Sequence, residues 1–226
     1  MAPESFTLSP CTLDDVEAMI SVYMNAFKND YFSSFTFPAT ISPEERYRWL
    51  RERFTGTFSK PDLRNFKIVE TSTGRMAAWA RWGFPHEKNE VKGEGEGQDE
   101  KEEEKDFNKD EWPVGANLEV CEVKFGGLHR KREKYCKKED TYIVYLICTD
   151  PAFQRKGLAS RLLQHGIDLA DREGRQTYLE ATKDGHPVYL KLGFTVIDVL
   201  TMDLSKWGGK ELGVSRMMMR DPKPAN

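Results

Sequence analysis

The stretch Asp150-Pro151-Ala152-Phe153-Gln154-Arg155-Lys156-Gly157-Leu158-Ala159 stands directly behind the most apolar run of this 226-residue chain and directly ahead of an amphipathic one. The run before it, Tyr142 to Thr149, is almost unbroken apolar and β-branched. It is too short for a helix of comparable burial and typical of a central strand covered on both faces. After the turn, Leu158, Leu162 and Leu169 share one side of a helix, which Ala159, Leu163, Ile167 and Ala170 broaden. Ser160, Arg161, Gln164 and Asp168 take the opposite side, with His165 at the edge. The whole reads as strand, turn, helix. Such a turn aims several backbone N–H groups and the positive end of a helix dipole at one point, and Arg155 and Lys156 add full charges there. An anionic group is the natural occupant. Gly157 equally suits a tight strand-to-helix connection that holds nothing, and spacing alone leaves both readings open.

A second block lies downstream: Tyr178-Leu179-Glu180-Ala181, then Pro187-Val188-Tyr189-Leu190-Lys191-Leu192-Gly193-Phe194. Gln154 to Ala159 resembles the Q/R-x-x-G-x-G/A signature of the GNAT acyltransferase superfamily, with Ala159 at the last small position. The second block is similar to that family's fifth strand and the helix that ends in Y-x-K/R-x-G-F. Together the blocks cover about residues 142–199, and their style is most similar to antibiotic N-acetyltransferases of the puromycin type and to uncharacterised fungal relatives. The resemblance implies an α/β chain with the GNAT fold, a mixed central β-sheet of about seven strands flanked by helices on both faces. It implies an enzyme that transfers an acetyl group from acetyl-CoA to an amine of a small molecule, directly within a ternary complex. A protein or peptide N-acetyltransferase, and an acyl-CoA-binding pseudoenzyme with an interaction role, are the alternatives.

Carried over residue by residue, the resemblance assigns the pantetheine arm and thioester carbonyl to the main chain of Ile147, Cys148 and Thr149. It assigns the pyrophosphate to the amides of Gln154, Arg155, Lys156, Gly157, Leu158, Ala159 and Ser160. Tyr189 matches the tyrosine beside the CoA sulfur, where its phenol protonates the departing thiolate; a core tyrosine with a satisfied hydroxyl is the alternative. Glu180 is the candidate base or amine anchor. If Leu179 and Ala181 face inward, Glu180 points to the other face of its strand, though a salt-bridged surface glutamate fits as well. Thr182 stands where many relatives carry a cofactor-contacting asparagine, and its hydroxyl either keeps one hydrogen bond of that contact or caps the turn after the strand. His186 is expected at the helix entrance, and Cys148 buried and not nucleophilic.

Composition narrows the class. The length suits one α/β domain spanning 1–226, and a net charge of -3 gives no global pull toward nucleic acid or an anionic membrane. Cys11, Cys121, Cys136 and Cys148 form no C-x-x-C pair, and His86, His129, His165 and His186 are scattered, so no metal site is expected. The N-terminus lacks a basic region followed by an apolar run, and no stretch is long enough to span a bilayer. A cytoplasmic protein, monomer or homodimer, is the expectation.

Elsewhere, Phe6 to Leu8 suits a first strand, and Thr12-Leu13-Asp14-Asp15 caps a helix carrying Val16, Met19, Ile20 and Tyr23 on one face. Asn29 to Phe37 reads as an aromatic loop. Ser42 and Pro43 start a second helix with Tyr47, Leu50 and Phe54 on its buried side. Phe66 to Glu70 and Arg75 to Phe84 form a hairpin. A flexible acidic insertion follows at about 86–112, its core Glu87 to Glu111 dominated by Glu, Asp, Lys and Gly. Asn117 to Asp140 suits a helix with a basic C-terminal half, although Gly126-Gly127 argues against continuity. The acceptor pocket is expected from Asn29 to Phe37, Trp79 to Trp82 and the segment before the central strand.

Overall fold

The computed structural model describes residues 5–85, 108–137 and 139–224; the greater part of the predicted acidic insertion lies outside them. In chain order, β1 (Phe6–Pro10) leads through one 3-10 turn into α1 (Val16–Ala26). The Asp15 carboxylate fixes that junction, accepting from the Thr12 N–H at 2.7 Å and from Lys67 Nζ at 2.6 Å. Next comes α2 (Tyr31–Thr36), where an aromatic loop was expected. Six residues cannot sustain a helix alone. Asp30 caps it by accepting from the Ser33 N–H at 2.9 Å, and Phe32 is buried against Met202 and Leu204.

The predicted second helix is α3 (Pro43–Thr55), with the Ser42 hydroxyl accepting from the Glu45 N–H. Leu50 and Phe54 are buried as expected, but Tyr47 is exposed. The inward stripe turns instead toward Trp49 and Arg53, which line a large cleft. The hairpin follows as β2 (Leu63–Glu70) and β3 (Met76–Gly83), the latter buried along its whole length.

The segment before the central strand is one helical path: α4 (Leu118–Cys121), a π-helical turn over Glu122–Gly126, and α5 (Gly127–Tyr135). The two glycines do not interrupt it. They are places of close approach, since a Cβ on Gly127 would stand 2.9 Å from the Leu200 side chain and one on Gly126 2.6 Å from the Glu122 carboxylate. The helix ends at Tyr135, short of the expected Asp140.

Five elements complete the chain around β4 (Thr141–Thr149): α6 (Leu158–Arg172), β5 (Gln176–Ala181), α7 (His186–Lys191), β6 (Thr195–Met202) and β7 (Gly213–Arg220). The seven strands form one sheet in the order β1-β2-β3-β4-β5-β7-β6. All neighbours are antiparallel except β4 and β5. One face packs on α6 through Trp82, Leu162, Leu163, Ile167, Leu179 and Met218. Contact there is close enough that a Cβ on Gly166 would stand 2.4 Å from the Trp82 ring. The other face carries α1 and α3 over Met76, Trp79 and Cys148, and α5 over Ile143, Tyr178 and Met217. The expected mixed sheet with helices on both faces is the observed one.

One register detail positions everything that follows. β4 and β5 pair only from Thr141 opposite Gln176 to Val144 opposite Leu179. Beyond Val144 the two parallel strands part, while β4 stays on β3 as far as Thr149 opposite Ala78.

Candidate active site

The gap between β4 and β5 exposes main chain selectively. The Asp150 N–H donates to the Ala77 carbonyl at 2.9 Å, and Cys148 lies opposite Trp79. In an antiparallel ladder every second residue bonds its partner, so Cys148 turns its main chain to β3, whereas Ile147 and Thr149 turn theirs to the gap. The Cys148 side chain is buried against α1, and burial pushes its thiol well above the ordinary range. Of the three residues proposed from the sequence, Ile147 and Thr149 therefore offer free backbone and Cys148 does not.

Behind the gap the chain makes its turn. Asp150 is buried and accepts from the Ala152 N–H at 2.9 Å and from Asn25 Nδ2 at 3.0 Å, which ties the turn to α1. Arg155 at φ 65° and Gly157 at φ 76° are both left-handed, and Gly157 is the residue from which α6 starts. The Arg161 N–H donates to the Gly157 carbonyl as the first helical bond. The N–H groups of Leu158, Ala159 and Ser160 belong to the first turn and have no acceptor within the helix. Nothing lies within 4 Å of a Cβ built on Gly157, so its backbone angle, not space, calls for glycine. Gln154, Arg155 and Lys156 are exposed on this turn, with Lys156 Nζ 5.4 Å from the Phe153 ring.

Tyr189 lies on α7, only 8% exposed, and reaches the cleft between the parted strands. Burial pushes its phenol up to about 12. Gly185 makes room for it, since a Cβ there would stand 3.0 Å from the hydroxyl oxygen. The Gly185 N–H donates to Thr182 Oγ1 at 3.2 Å, so Thr182 caps the turn after β5 while also lining the cleft. His186 opens α7, as expected.

Glu180 faces away from Leu179 and Ala181, toward α5. There it meets Arg132: Oε1 accepts from Nε at 3.1 Å and from Nη2 at 2.8 Å, and Oε2 accepts from Nη2 at 2.9 Å. The carboxylate is the salt-bridged glutamate of the two readings, and it is largely buried. Burial works to lower the Arg132 pKa, but Glu180 outweighs it and holds the guanidinium above its ordinary value. That guanidinium also lies 4.8 Å from the centre of the Tyr145 ring, on the free half of β4. Both carboxylate oxygens are thus taken up by one guanidinium. Its plain effect is to brace α5 against the gap.

The gap opens into a cleft of about 2140 Å³ bounded by α1, α2, α3, β3 and the α4–α5 helix. Trp79 and Trp82, expected in the acceptor pocket, are instead fully buried on opposite faces of β3. The cleft wall joins Phe37 and the segment before β4, both expected there, to Trp49 and Trp112, which the sequence did not single out. Trp49 and Trp112 stack with centroids 5.6 Å apart, Phe125 adjoins Trp112 at 4.8 Å, and Phe37 adjoins Trp49 at 5.3 Å. The Trp49 Nε1–H donates to the Glu111 carbonyl at 2.7 Å, so the described end of the predicted insertion, residues 108–112, is packed into this wall. Lys124 lies 4.0 Å from the Phe32 centroid, and burial lowers its pKa to about 8 although Asp30 opposes the shift. Arg81 projects from β3 beside the Phe54 and Trp79 rings. It is the residue of the expected Trp79 to Trp82 stretch that lines the cleft, the lone arginine of an otherwise apolar strand. Among the described residues no group of His, Cys, Asp or Glu is placed to hold a metal, and no helix is long and apolar enough to cross a membrane.

A parallel strand pair that parts halfway, a left-handed turn feeding a helix N-terminus, and a buried tyrosine on the following helix define the architecture of an acyl-CoA-dependent acetyltransferase. The model of the acetyltransferase (GNAT) family matches residues 24–194, and the chain belongs to that family. Solved structures resemble it over nearly its whole length. The ribosomal-protein-S18-alanine N-acetyltransferase from Escherichia coli is 16% identical, with a TM-score of 0.55 over 98% of this chain and 97% of its own. A protein from Corynebacterium glutamicum described as histone acetyltransferase HPA2 and related acetyltransferase is 20% identical, with a TM-score of 0.58 over 98% and 99%. The PaiA N-acetyltransferase from Thermoplasma acidophilum, solved with coenzyme A, is 13% identical, with a TM-score of 0.52 over 96% and 99%. At these identities the likeness is one of fold. A comparison with curated proteins returns no significant match.

Proposed function

We propose that the protein transfers an acetyl group from acetyl-CoA to the amine of a small molecule, directly and without an acyl-enzyme. The observation that carries this reading is the parting of β4 from β5 between the Gly157 turn and Tyr189. The pyrophosphate would sit on the N–H groups of the turn and of the first turn of α6, with Arg155 and Lys156 adding charge. The pantetheine arm would run along the main chain of Ile147 and Thr149, where backbone N–H groups polarise the thioester carbonyl. The neutral amine attacks that carbonyl, a C–N bond forms, and the C–S bond breaks. The Tyr189 phenol gives its proton to the departing sulfur, and the proton released by the new amide nitrogen passes through water in the cleft to restore the phenol.

One feature favours a small acceptor over the basic tail of a protein: the stacked Trp49 and Trp112 give the cleft an apolar aromatic side. With Glu180 held by Arg132, no side-chain base is assigned. The rate should then rise with pH as the acceptor's ammonium loses its proton, and show no alkaline fall from Tyr189, whose phenol keeps its proton until about 12.

Thiol release from acetyl-CoA, followed across a panel of small amines, tests the reading. Turnover with at least one amine is expected, with Tyr189→Phe lowering kcat roughly 100-fold and leaving the CoA dissociation constant within about twofold. Measurable CoA binding with no thiol release for any amine would overturn it.

A further inference from the structure

Arg81 is a buried arginine that its surroundings leave incomplete. Its residue is 8% exposed, and its Nε–H donates to Asn65 Oδ1 at 3.1 Å. The Asn65 amide in turn donates to Thr57 Oγ1 at 3.2 Å, whose hydroxyl donates to the Phe54 carbonyl at 2.7 Å. This chain of bonds fixes the guanidinium in one orientation. Yet Nη2 is buried and finds no hydrogen-bond partner among the described residues, while the residue lines the cleft. An unpartnered donor on a buried cation is costly to keep.

The neighbours deepen the deficit. Burial lowers the Arg81 pKa to about 10, and the next cause is the positive charge of Arg53, not a carboxylate. Arg46, 4.6 Å from the Phe37 ring, donates through Nη2 to Ser33 Oγ at 3.0 Å, and its Nε is buried without a partner among the described residues. The cleft also carries carboxylates, among them Asp30, which caps α2, Glu122, paired with Arg130, and Glu180, paired with Arg132, but none stands among the leading influences on Arg81. The position matters as much as the charge. Arg81 lies opposite Leu146 in the β3–β4 register, one residue from Ile147 and one strand away from the gap. Adjacent strands are about 4.8 Å apart, so an anionic group at Arg81 and a reacting amine at the gap fit within a single small molecule.

We propose that Arg81, assisted by Arg53, binds a carboxylate carried by the acceptor itself, so that the substrates are amines bearing an acidic group, of the amino-acid class. Arg81 offers one fixed N–H edge and the exposed Arg53 a second charge, which suits a singly charged planar anion. This inference rests on the acetyl-transfer reading for what happens at the amine, but the anion site can be tested apart from it.

The test compares acids with their amides: L-phenylalanine with L-phenylalaninamide, and L-methionine with L-methioninamide, each assayed for thiol release from acetyl-CoA. The amide's amine loses its proton more readily, so a preference for the acid cannot come from nucleophilicity. The expected kcat/KM favours an acid at least tenfold, and Arg81→Gln collapses that ratio to within about threefold, chiefly through the KM of the acid. Arg53→Gln, at an exposed helical position, gives a partial collapse and guards against a folding defect in the first variant. Equal use of acid and amide by the unaltered protein, or an equal loss with both in Arg81→Gln, overturns the proposal. If neither is acetylated although CoA binds, tryptophan fluorescence decides. Trp79 lies 5.5 Å from the Arg81 guanidinium and Trp49 5.5 Å from that of Arg53. A saturable response to the acid alone, lost in Arg81→Gln, keeps the anion site and refutes only the transfer; the same response to acid and amide, or none, refutes the site.

Discussion

The two halves of the cleft are built on different plans. On the side proposed for the donor, from Thr141 to Gly193, the groups are main-chain amides and small residues that follow one another in sequence, and one tyrosine a helix later. On the side proposed for the acceptor they are side chains gathered from the end of α2, α3, β3, the 108–112 segment and the π-helical turn before α5: Phe37, Trp49, Arg53, Arg81, Trp112, Lys124 and Phe125. A cofactor that is always the same can be held by backbone geometry, which any sequence of the right shape supplies. An acceptor that distinguishes one enzyme from another has to be met by side chains, and these are free to come from anywhere in the fold.

The largest expected effect concerns the frame under the donor side. The Arg220 guanidinium, almost wholly buried, holds the Asp171 carboxylate on both oxygens at 2.6 and 2.8 Å and donates through Nε to the Leu192 carbonyl at 3.0 Å. It thereby clamps the ends of α6 and α7, which carry the turn and Tyr189, onto β7. Asp171→Asn leaves that cation uncompensated and should cost about 3 kcal/mol in urea unfolding at pH 7. The Arg220 hydrogen bonds hold the Asp171 carboxyl below the ordinary carboxylate range. Its contribution is therefore full above the unfolded value of about 4 and is lost as pH falls through the lower folded value. The variant's deficit should shrink below about pH 4; a constant deficit would mean that packing, not the ion pair, is what was removed.

Next in size is Gly157→Val. A β-branched residue at φ 76° is strained by about 1–2 kcal/mol, and a distorted turn should weaken CoA binding about tenfold. Arg155→Ala, which removes only an exposed charge near the helix N-terminus, should weaken it two- to fivefold. Calorimetry giving the opposite order would show that charge and not backbone holds the donor, and the contrast between the halves would fail. The smallest effect is expected on the acceptor side. Trp49→Ala removes one ring of the stacked wall, worth about 1 kcal/mol, and should raise the acceptor KM about fivefold with the CoA dissociation constant unchanged. A parallel loss of CoA affinity would mean that the halves are not separable.

How much of this was legible follows the same division. The central strand, the turn and α6 could be read in order from local periodicity and a glycine whose backbone angle other residues adopt only at a cost, and β5 and α7 from their resemblance to the family's second motif. α2 was not, because six residues acquire helical form only through the Asp30 cap and the burial of Phe32. β7 was not recognised at all: Gly-Val-Ser-Arg-Met-Met-Met-Arg carries little strand propensity, and it becomes a strand by inserting between β5 and β6. Gly126-Gly127 looked like a helix breaker and proved to be a site of close packing. Glu180 was left open between base and ion pair, and the choice depended on Arg132, 48 residues earlier.

By itself the sequence determined the strand, turn and helix from Tyr142 to Ala170, because they rest on short-range rules of backbone conformation and periodic burial, and its resemblance to the GNAT motifs supplied the class of fold. Only the tertiary structure decided that β4 and β5 part after Val144, that Glu180 is occupied by Arg132, and that Arg81 stands buried and incomplete beside the gap. Each of these depends on pairs of residues far apart in the chain, and the free energy of such a pair is set by burial and geometry, which no local pattern records.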